Sequence, residues 1–321
     1  MINRLLIRLK VVQISYAYYQ NGEMDLPDSE KELFKSLSNT YYLYNLMFLL
    51  MLDIKRVAEE GVEATRVRHS QLGLEGEVST QFVDNKFLAQ LETNFHLKEF
   101  AKQLRKKEEA SIELRNFQWK DRDDLIHQLY ASIIKSDIYN DYIKAGDFSY
   151  EADRNLWHKI YRSLLTNNEA IDEELESLSL YWNDDKAIVD SFVLKSIRQF
   201  EEANGEMQQL LPEYRNEEDK QYAANLFRNS IKNAETYRKL IEENNTNWEM
   251  SRMALMDIVI LQTALTEIVT CTDIPVSVSI NEYVEIAKTY STPRSGGYVN
   301  ALLDTISKQL KEENKLIGKR F

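Results

Sequence analysis

Side chains that commonly act in catalysis or bind metals are few in this chain and poorly spaced for either role. No His-Glu-x-x-His pattern occurs, and none of the four histidines has a partner at metal-ligand spacing (His69, His96, His127 and His158). The single cysteine, Cys271, excludes an internal disulfide and a cysteine-cluster metal site, and its place after an apolar segment predicts a structural role. Asp184 and Asp185 are adjacent, so on a helix they point in different directions. The sequence predicts no enzyme, no cofactor and no metal site.

One glycine pair, Gly296-Gly297, marks a candidate anion site. It stands in a predicted loop directly before the last predicted helix. Backbone amides at the start of a helix can hold a phosphate group. The chain has no Walker lysine and no Gly-x-Gly-x-x-Gly pattern, so the pair does not belong to a nucleotide-binding loop of those types.

Three predicted helices near the C-terminus position this glycine pair. The first, about Met250 to Val269, is apolar on most sides and is expected to be buried at the centre of a bundle. Asp273-Ile274-Pro275 ends it, because proline lacks the amide that a helix interior needs. The second begins either at Pro275, which suits a first helical position, or at the capping-box pattern Ser279-x-x-Glu282. The third has one apolar face, formed by Val299, Leu302, Leu303, Ile306 and Leu310.

The order and residues of this C-terminal region resemble the NusB transcription antitermination family. The resemblance lies in a Trp…Arg…Asp helix, an Asp-Ile-Pro turn, an Ile-Asn-Glu-x-Val-Glu-Ile-Ala-Lys helix and a Ser-x-x-Tyr-Val-Asn helix. So many matches in order over about sixty residues make the resemblance specific. The matching residues are Trp248, Arg252, Asp257, Leu261, Ala264, Leu265, Glu267, Asp273, Pro275, Ile280, Asn281, Glu282, Glu285, Ala287, Lys288, Ser295, Tyr298, Val299, Asn300 and Leu303.

The resemblance implies an all-α protein that supports ribosomal RNA transcription. It implies binding of boxA-type single-stranded RNA together with NusE, a small-subunit ribosomal protein, within the RNA polymerase antitermination complex. Arg4 and Arg8 would contact phosphates, and Gln13 and Tyr16 would make polar or stacking contacts. In the loop before the last helix, the RNA-binding residues would be Ser295 and Tyr298. Arg294 departs from the family, which usually has an acidic residue near this place, and adds a positive charge beside the expected RNA path, so we predict it as a further RNA-binding residue.

Departures from the family pattern weaken the expected RNA site and keep a second hypothesis open. Gln262 replaces an arginine, Gly297 stands where a basic residue is common, and Ala301 replaces a glycine. The N-terminal helix also has fewer arginines than the family usually shows. The alternative is a helical protein-binding scaffold that keeps the NusB fold but binds RNA weakly or not at all. An enzyme carrying a NusB-like module is disfavoured, because no glycine-rich α/β segment exists.

The resemblance implies a NusB-like bundle at the C-terminal end that the N-terminal helix completes. We therefore predict residues 1–22 as the N-terminal helix of this unit, 23–216 as an inserted helical region, and 217–321 as the core with a short charged tail. Residues 150–182 and 216–248 are similar at an offset of 66, which indicates either an internal duplication or a chance likeness. Other predicted helices span Met1–Gln20, Ser29–Glu60, Gln81–Lys107, Asp121–Ala145, Asp184–Phe200 and Glu217–Glu243, with a loop at Val62–Thr80 and a linker at Gly205–Arg215.

Charge and hydropathy restrict the partners and the location of the chain. Its formal net charge is −12, so any RNA contact must rely on a local basic patch against an unfavourable overall field. The longest apolar run, Tyr41 to Leu52, is shorter than the about 20 residues needed to span a bilayer. We expect a cytoplasmic protein without a membrane partner.

Overall fold

The computed structural model describes residues 1–22, 25–74, 76, 78–104, 117–179, 181–245, 253–316 and 318–321. Within these ranges the chain is helical and contains no strand, apart from an isolated bridge between Ile2 and Tyr214. The all-α prediction is confirmed. Trp248, Arg252 and the predicted start of a helix at Met250 lie outside the described residues.

Contacts divide the described chain into two compact units. Unit 1 consists of Met1 and Ser38–Glu213, and unit 2 consists of Ile2–Leu37 and Tyr214–Phe321. The predicted division at 1–22, 23–216 and 217–321 stays a prediction.

Unit 2 is built around one nearly fully buried helix, α12 (Leu255–Thr270). Its apolar residues on all sides pack against the five other complete helices of the unit, as its sequence predicts. These helices are α1 (Arg4–Gln20), α10 (Glu217–Lys232), α11 (Ala234–Asn244), α13 (Val276–Tyr290) and α14 (Ser295–Glu312). The core contains Val259, Ile260, Leu261, Leu265, Ile268, Tyr283, Val299 and Leu303, all fully buried.

The structure decides two predictions about where the helices of unit 2 begin and end. The helix after Pro275 begins at Val276, and the Ser279 hydroxyl donates to the Glu267 carboxylate at 2.6 Å rather than capping the helix start. The single helix predicted over Glu217–Glu243 is wrong, because α10 ends at Lys232 and α11 begins at Ala234. Asn233 separates the two helices, and its side-chain amide donates to the carbonyl of Asn229 at 2.9 Å.

Unit 1 contains most of a long helix, α2 (Leu26–Leu72), whose middle is buried. Two tryptophan side chains donate to backbone carbonyls of this helix: Trp119 to Leu46 at 2.7 Å and Trp182 to Asn39 at 2.9 Å. The other helices of unit 1 are α3 (Lys86–Thr93), α4 (Phe95–Leu104), α5 (Asp123–Lys135), α6 (Asp137–Ala145), α7 (Tyr150–Ile160), α8 (Glu169–Leu178) and α9 (Trp182–Gln199).

The loop predicted over Val62–Thr80 is wrong in its first half, because α2 continues through Gly61 to Leu72. Glycine within a helix costs only about 1 kcal/mol relative to alanine, so it does not by itself end one. Here the ring of Tyr130 lies within contact distance of a Cβ placed on Gly61. The glycine that ends the helix is Gly73, with φ of 60°.

Two further predicted helices of unit 1 are each divided by a polar residue. The Gln81–Lys107 stretch breaks at Asn94, whose side chain accepts from the Leu97 amide at 3.0 Å and donates to the Gln208 carbonyl at 2.7 Å. Residues 105–107 of that stretch lie outside the described ranges. The Asp121–Ala145 stretch breaks at Ser136, an extended residue whose hydroxyl accepts from the Tyr139 amide at 3.2 Å. Both residues cap the helix that follows them.

Candidate nucleic-acid interface

Arg8, one of the predicted phosphate-binding residues on α1, is buried in unit 2 with only 4% of its surface exposed. Its guanidinium donates through Nε and Nη2 to the two carboxylate oxygens of Glu267, at 2.8 and 3.0 Å. A third contact, from Nη1 to Glu282, is longer at 3.4 Å. This forked geometry is the strongest arrangement of arginine with a carboxylate. Arg8 therefore connects α1 to α12 and α13 and has little surface left for a ligand.

Glu267 is completely buried and is the centre of a polar cluster. Besides Arg8, it accepts from the hydroxyls of Ser279, Tyr222 and Tyr283. Burial alone would raise the pKa of the Glu267 carboxyl, but the hydrogen bonds and positive charge of Arg8, aided by Ser279 and Tyr222, hold that pKa below its ordinary value. The carboxylate stays charged and joins four helices, which indicates a structural role.

Arg4, the other predicted phosphate contact on α1, is partly open to solvent. Its side chain is 35% exposed and forms ion pairs with Asp273 at 2.8 Å and Asp219 at 3.6 Å. The guanidinium also lies over the ring of Tyr222, 5.1 Å from its centroid. The hydrogen bond from Arg4 lowers the pKa of Asp273. A phosphate that binds Arg4 must therefore compete with two carboxylates.

Gln13 and Tyr16 lie further along α1 and are half-buried. The ring of Tyr16 packs against the core of unit 2, which limits its availability for stacking on a base. One turn later, Tyr19 accepts a hydrogen bond from the buried side chain of Gln262 at 2.8 Å. The guanidinium of Arg238 lies 4.4 Å from the centroid of the Tyr19 ring. Nothing in the sequence indicates Arg238 as a site residue, because its contact with Tyr19 joins two helices that are distant along the chain.

The three remaining predicted residues lie at the start of α14. Its arginine is more exposed to solvent than the two predicted arginines of α1. Arg294 is exposed at the N-cap position, and Tyr298 is half-buried with its hydroxyl 3.3 Å from the sulfur of Met253. Ser295 is buried, and its hydroxyl donates to the Asp257 carboxylate at 3.0 Å. Ser295 thus fixes the helix start against α12 rather than facing solvent.

The first turn of α14 is favourable for an anion. No side chain caps its amides, and no acidic residue lies in its first turn. Gly297 is exposed with open space around it, so a ligand can approach the backbone there. Gly296 is packed instead: a Cβ at this position would lie 2.6 Å from Cγ of Lys288. The positive end of the helix dipole and the Arg294 guanidinium both attract negative charge to this point.

The predicted RNA-binding residues do not form one cluster. Arg4 and Arg8 contact residues at or beyond the C-terminal end of α12, whereas Ser295 contacts Asp257 in its first turn. Asp257 and Glu267 are ten residues apart, which is about 15 Å along a helix. A ligand that reaches both groups must therefore be extended. The assignment of these residues to RNA stays a prediction.

Metal-ligand clusters and membrane-spanning helices are both absent from the described residues. Among these residues, no group of His, Cys, Asp or Glu side chains has the arrangement of a metal site. No helix within them has both the length and the apolar character required to cross a bilayer.

Comparisons with known proteins identify a family whose members carry the name of transcription antitermination proteins. A family model described as the NusB family matches residues 189–308. The transcription antitermination protein NusB of Salinibacter ruber is 35% identical over 130 residues, which are 39% of this chain and 81% of that protein. The protein of the same name from Desulfatibacillum aliphaticivorans is 36% identical over 100 residues, 31% of this chain and 70% of that protein.

A solved structure of T. maritima NusB is 30% identical, covers 39% of this chain and 87% of that chain, and superposes with a TM-score of 0.30. We infer the family from the sequence relatives rather than from this superposition. The chain belongs to the NusB family, and the resemblance noted in its sequence is confirmed. It is much longer than the region that these relatives share with it.

Proposed function

We propose that this protein is a transcription antitermination factor that binds boxA-type single-stranded RNA together with NusE and supports ribosomal RNA transcription in the cytoplasm. It would act as part of the RNA polymerase antitermination complex. Membership in the NusB family, whose relatives carry the name of transcription antitermination proteins, supports the role in transcription. The observation that favours RNA as the ligand is the uncapped start of α14, with Arg294 exposed beside it.

A phosphate group fits the start of α14 on physical grounds. The amide of Ser295 donates to the Thr292 carbonyl at 2.9 Å, and the other amides of the first turn supply hydrogen-bond donors. Arg294 supplies a charge-assisted contact, and the half-exposed ring of Tyr298 offers a surface for a base. Arg4 would supply a second phosphate contact after exchanging its carboxylate partners. Arg8, by contrast, would support the site by holding α1 in place.

The overall charge of −12 opposes binding of a polyanion and explains why a partner would be needed. Two or three phosphate contacts give modest affinity, which falls steeply with salt. A basic ribosomal protein such as NusE would offset the negative field and add contacts of its own. We therefore expect weak RNA binding by the protein alone and stronger binding with NusE.

The test is fluorescence anisotropy of a labelled boxA-type RNA, with the full chain alone and with NusE from the same organism, over a range of salt concentrations. Arg294→Gln should weaken binding about three- to ten-fold and lower the salt-dependence slope by about 0.7, the value for one phosphate on a single strand. The matched control is Lys308→Gln, which removes one exposed charge near the other end of the same helix. It should bind like the wild type.

Two outcomes would separate the proposal from its alternative. Equal loss in Arg294→Gln and Lys308→Gln would show that general charge, not the start of α14, determines affinity. Absence of RNA binding with and without NusE, while NusE still binds the protein, would favour the helical protein-binding scaffold.

A further inference from the structure

Unit 1 carries a group of basic side chains on two neighbouring helices, far from the proposed site in sequence. Arg154, His158 and Arg162 follow one another at intervals of four residues along α7 and the π-helical turn that continues it, so they share one face. Eight residues of helix span about 12 Å. Arg154 and His158 are half-buried, and Arg162 is exposed.

The C-terminal half of α9, which packs against α7, adds two more cations to this face. Nη1 of Arg154 donates to the carbonyl of Phe200 at 2.8 Å, and this fixes the Arg154 guanidinium at the end of α9. Arg198 lies two residues before Phe200, and Lys195 lies one turn earlier; both are exposed. We call Arg154, His158, Arg162, Lys195 and Arg198 the basic patch.

The basic patch lacks the carboxylate partners that other arginines of unit 1 have. Arg56, for example, forms ion pairs with three acidic residues, and Arg122 pairs with Glu174 at 2.5 Å. In the described part of the chain, no salt bridge involves any member of the patch. Asp153, next to Arg154, is buried and accepts from the Tyr142 hydroxyl and the Lys86 amide instead. Glu151 on α7 and the Glu201-Glu202 pair after α9 are exposed and form no salt bridge with the patch.

The side chain of His158 is influenced by the charges of three arginines of the basic patch. Burial is the first cause that lowers the pKa of its imidazole, and the positive charges of Arg198, Arg162 and Arg154 lower it further. Its Nε2 atom is buried and has no hydrogen-bond partner within the described residues. The three guanidinium groups thus lie close enough to the His158 ring to lower its pKa, and a bound anion would offset their positive charges.

We propose that the basic patch binds the phosphate backbone of single-stranded RNA. Guanidinium groups match phosphate oxygens through pairs of hydrogen bonds, and several of them along about 12 Å suit a ligand with closely spaced negative charges. Such a local patch is what a protein of net charge −12 needs in order to bind a polyanion. The site lies entirely in unit 1, so it goes beyond the proposed function and does not depend on it.

The first test measures binding of a labelled, mixed-sequence single-stranded RNA without a boxA element to the full chain. Arg162→Gln/Arg198→Gln should raise Kd about three- to ten-fold and lower the salt-dependence slope by about 1.4, the value for two phosphates. Lys135→Gln/Lys144→Gln removes the same charge from exposed positions on α5 and α6 and should leave both quantities unchanged.

Three results would overturn the assignment. They are no RNA binding by the wild type at low salt, equal losses in the two double variants, and RNA binding absent while a labelled polyglutamate peptide binds through the same arginines. The effect of Arg294→Gln tests the site in unit 2, whereas the effect of Arg162→Gln/Arg198→Gln on an RNA without boxA tests the site in unit 1. Failure of one site therefore does not decide the other.

The second test follows the pKa of His158 by NMR during titration with the same RNA. A bound phosphate offsets the three positive charges, so the depressed pKa of His158 should rise when RNA is present and should not rise in Arg162→Gln/Arg198→Gln. An unchanged pKa of His158 at saturating RNA would place the RNA elsewhere and contradict the proposal.

Discussion

Replacement of Arg8 by methionine tests whether this residue is structural rather than a ligand contact. Methionine keeps an unbranched side chain but removes the charge and the hydrogen bonds to Glu267. Arg8 is 4% exposed and Glu267 is fully buried, so water cannot replace the lost partner. Glu267 would retain only the hydroxyls of Ser279, Tyr222 and Tyr283.

The expected cost is large because one charge of a buried pair remains unpaired. Removal of one partner from such a pair costs about 3–5 kcal/mol, whereas a protein domain is typically stable by about 5–15 kcal/mol. Arg8→Met/Glu267→Gln should be more stable than Arg8→Met, because it leaves no buried charge behind. A double variant that is more stable than a single one would show directly that the pair acts as a unit.

The pH dependence of the penalty has a defined sign. In the wild type, the pKa of Glu267 is depressed, so its stabilising contribution is present above the unfolded pKa and is lost as the pH falls through the folded pKa. In Arg8→Met, burial without the guanidinium raises the pKa of Glu267 above its unfolded value of about 4.3. The variant therefore recovers stability as the pH falls, and the penalty should be larger at pH 7.5 than at pH 5.

Hydrogen exchange of α12 is the suitable assay, because it reports on unit 2 without contributions from unit 1. Protection of the α12 amides should fall in Arg8→Met by about the cost given above and recover in part in the double variant. A cost below about 1 kcal/mol at neutral pH, or an equal cost at pH 5 and pH 7.5, would refute the reasoning.

Four further substitutions have expected effects that thermal unfolding can measure. Gly296→Ala should destabilise by about 1–3 kcal/mol because its Cβ meets Lys288, whereas Gly297→Ala, which has open space, should be neutral or slightly stabilising. Lys319→Met should cost about 1–2 kcal/mol, because the ammonium donates to three backbone carbonyls at and just after the end of α12; no effect would mean that water replaces it. Tyr44→Phe should cost about 1–2 kcal/mol, because it removes the hydroxyl that forms hydrogen bonds with the Ser196 hydroxyl and the Leu211 amide, and an unchanged midpoint would contradict their importance.

Hydrophobic periodicity was sufficient to predict the helices but not all of their ends. The buried face of an amphipathic stretch continues across Asn94, Ser136 and Asn233, so periodicity alone gave no sign of the breaks there. Each break depends on side-chain hydrogen bonds, and Asn94 also binds a carbonyl 114 residues away. Periodicity likewise does not show which of Gly61 and Gly73 ends α2. Only Gly73 adopts the positive φ of a helix end, whereas α2 continues through Gly61.

The candidate site was predictable in its residue types but not in their partners. Arg8 and Glu267 are 259 residues apart, and nothing local indicates that they pair. The same composition could have left Arg8 free for a phosphate. Arg294 is different, because its position beside a glycine pair at a helix start depends on local sequence alone. The local part of the prediction is therefore the part that the proposed function still uses.

The likeness at an offset of 66 extends from residue types to structure. α7 with its π-helical turn and α8 occupy 150–165 and 169–178, and α10 and α11 occupy 217–232 and 234–244, so the ends of both helices coincide within about one residue after the shift. Helical periodicity alone can make the buried positions of one helix coincide with those of another after a shift. It does not explain why two successive helices agree both in length and in the positions of their buried residues. The buried positions that coincide are Asp153, Leu156, Trp157, Ile160, Tyr161, Ile171 and Leu175 with Asp219, Tyr222, Ala223, Leu226, Phe227, Tyr237 and Ile241.

An internal duplication of a helical pair would account for this agreement, and the surfaces of the two pairs differ. Arg162 and Arg228 occupy equivalent positions. In unit 2 both Nε and Nη2 of Arg228 donate to the carboxylate of Glu30, at 2.5 and 2.6 Å. In unit 1 no described acidic residue forms a salt bridge with Arg162, which is exposed. The buried positions agree between the two helical pairs, but only Arg228 has a carboxylate partner. The basic patch is therefore a feature of the helical pair in unit 1 and is not shared by the pair in unit 2.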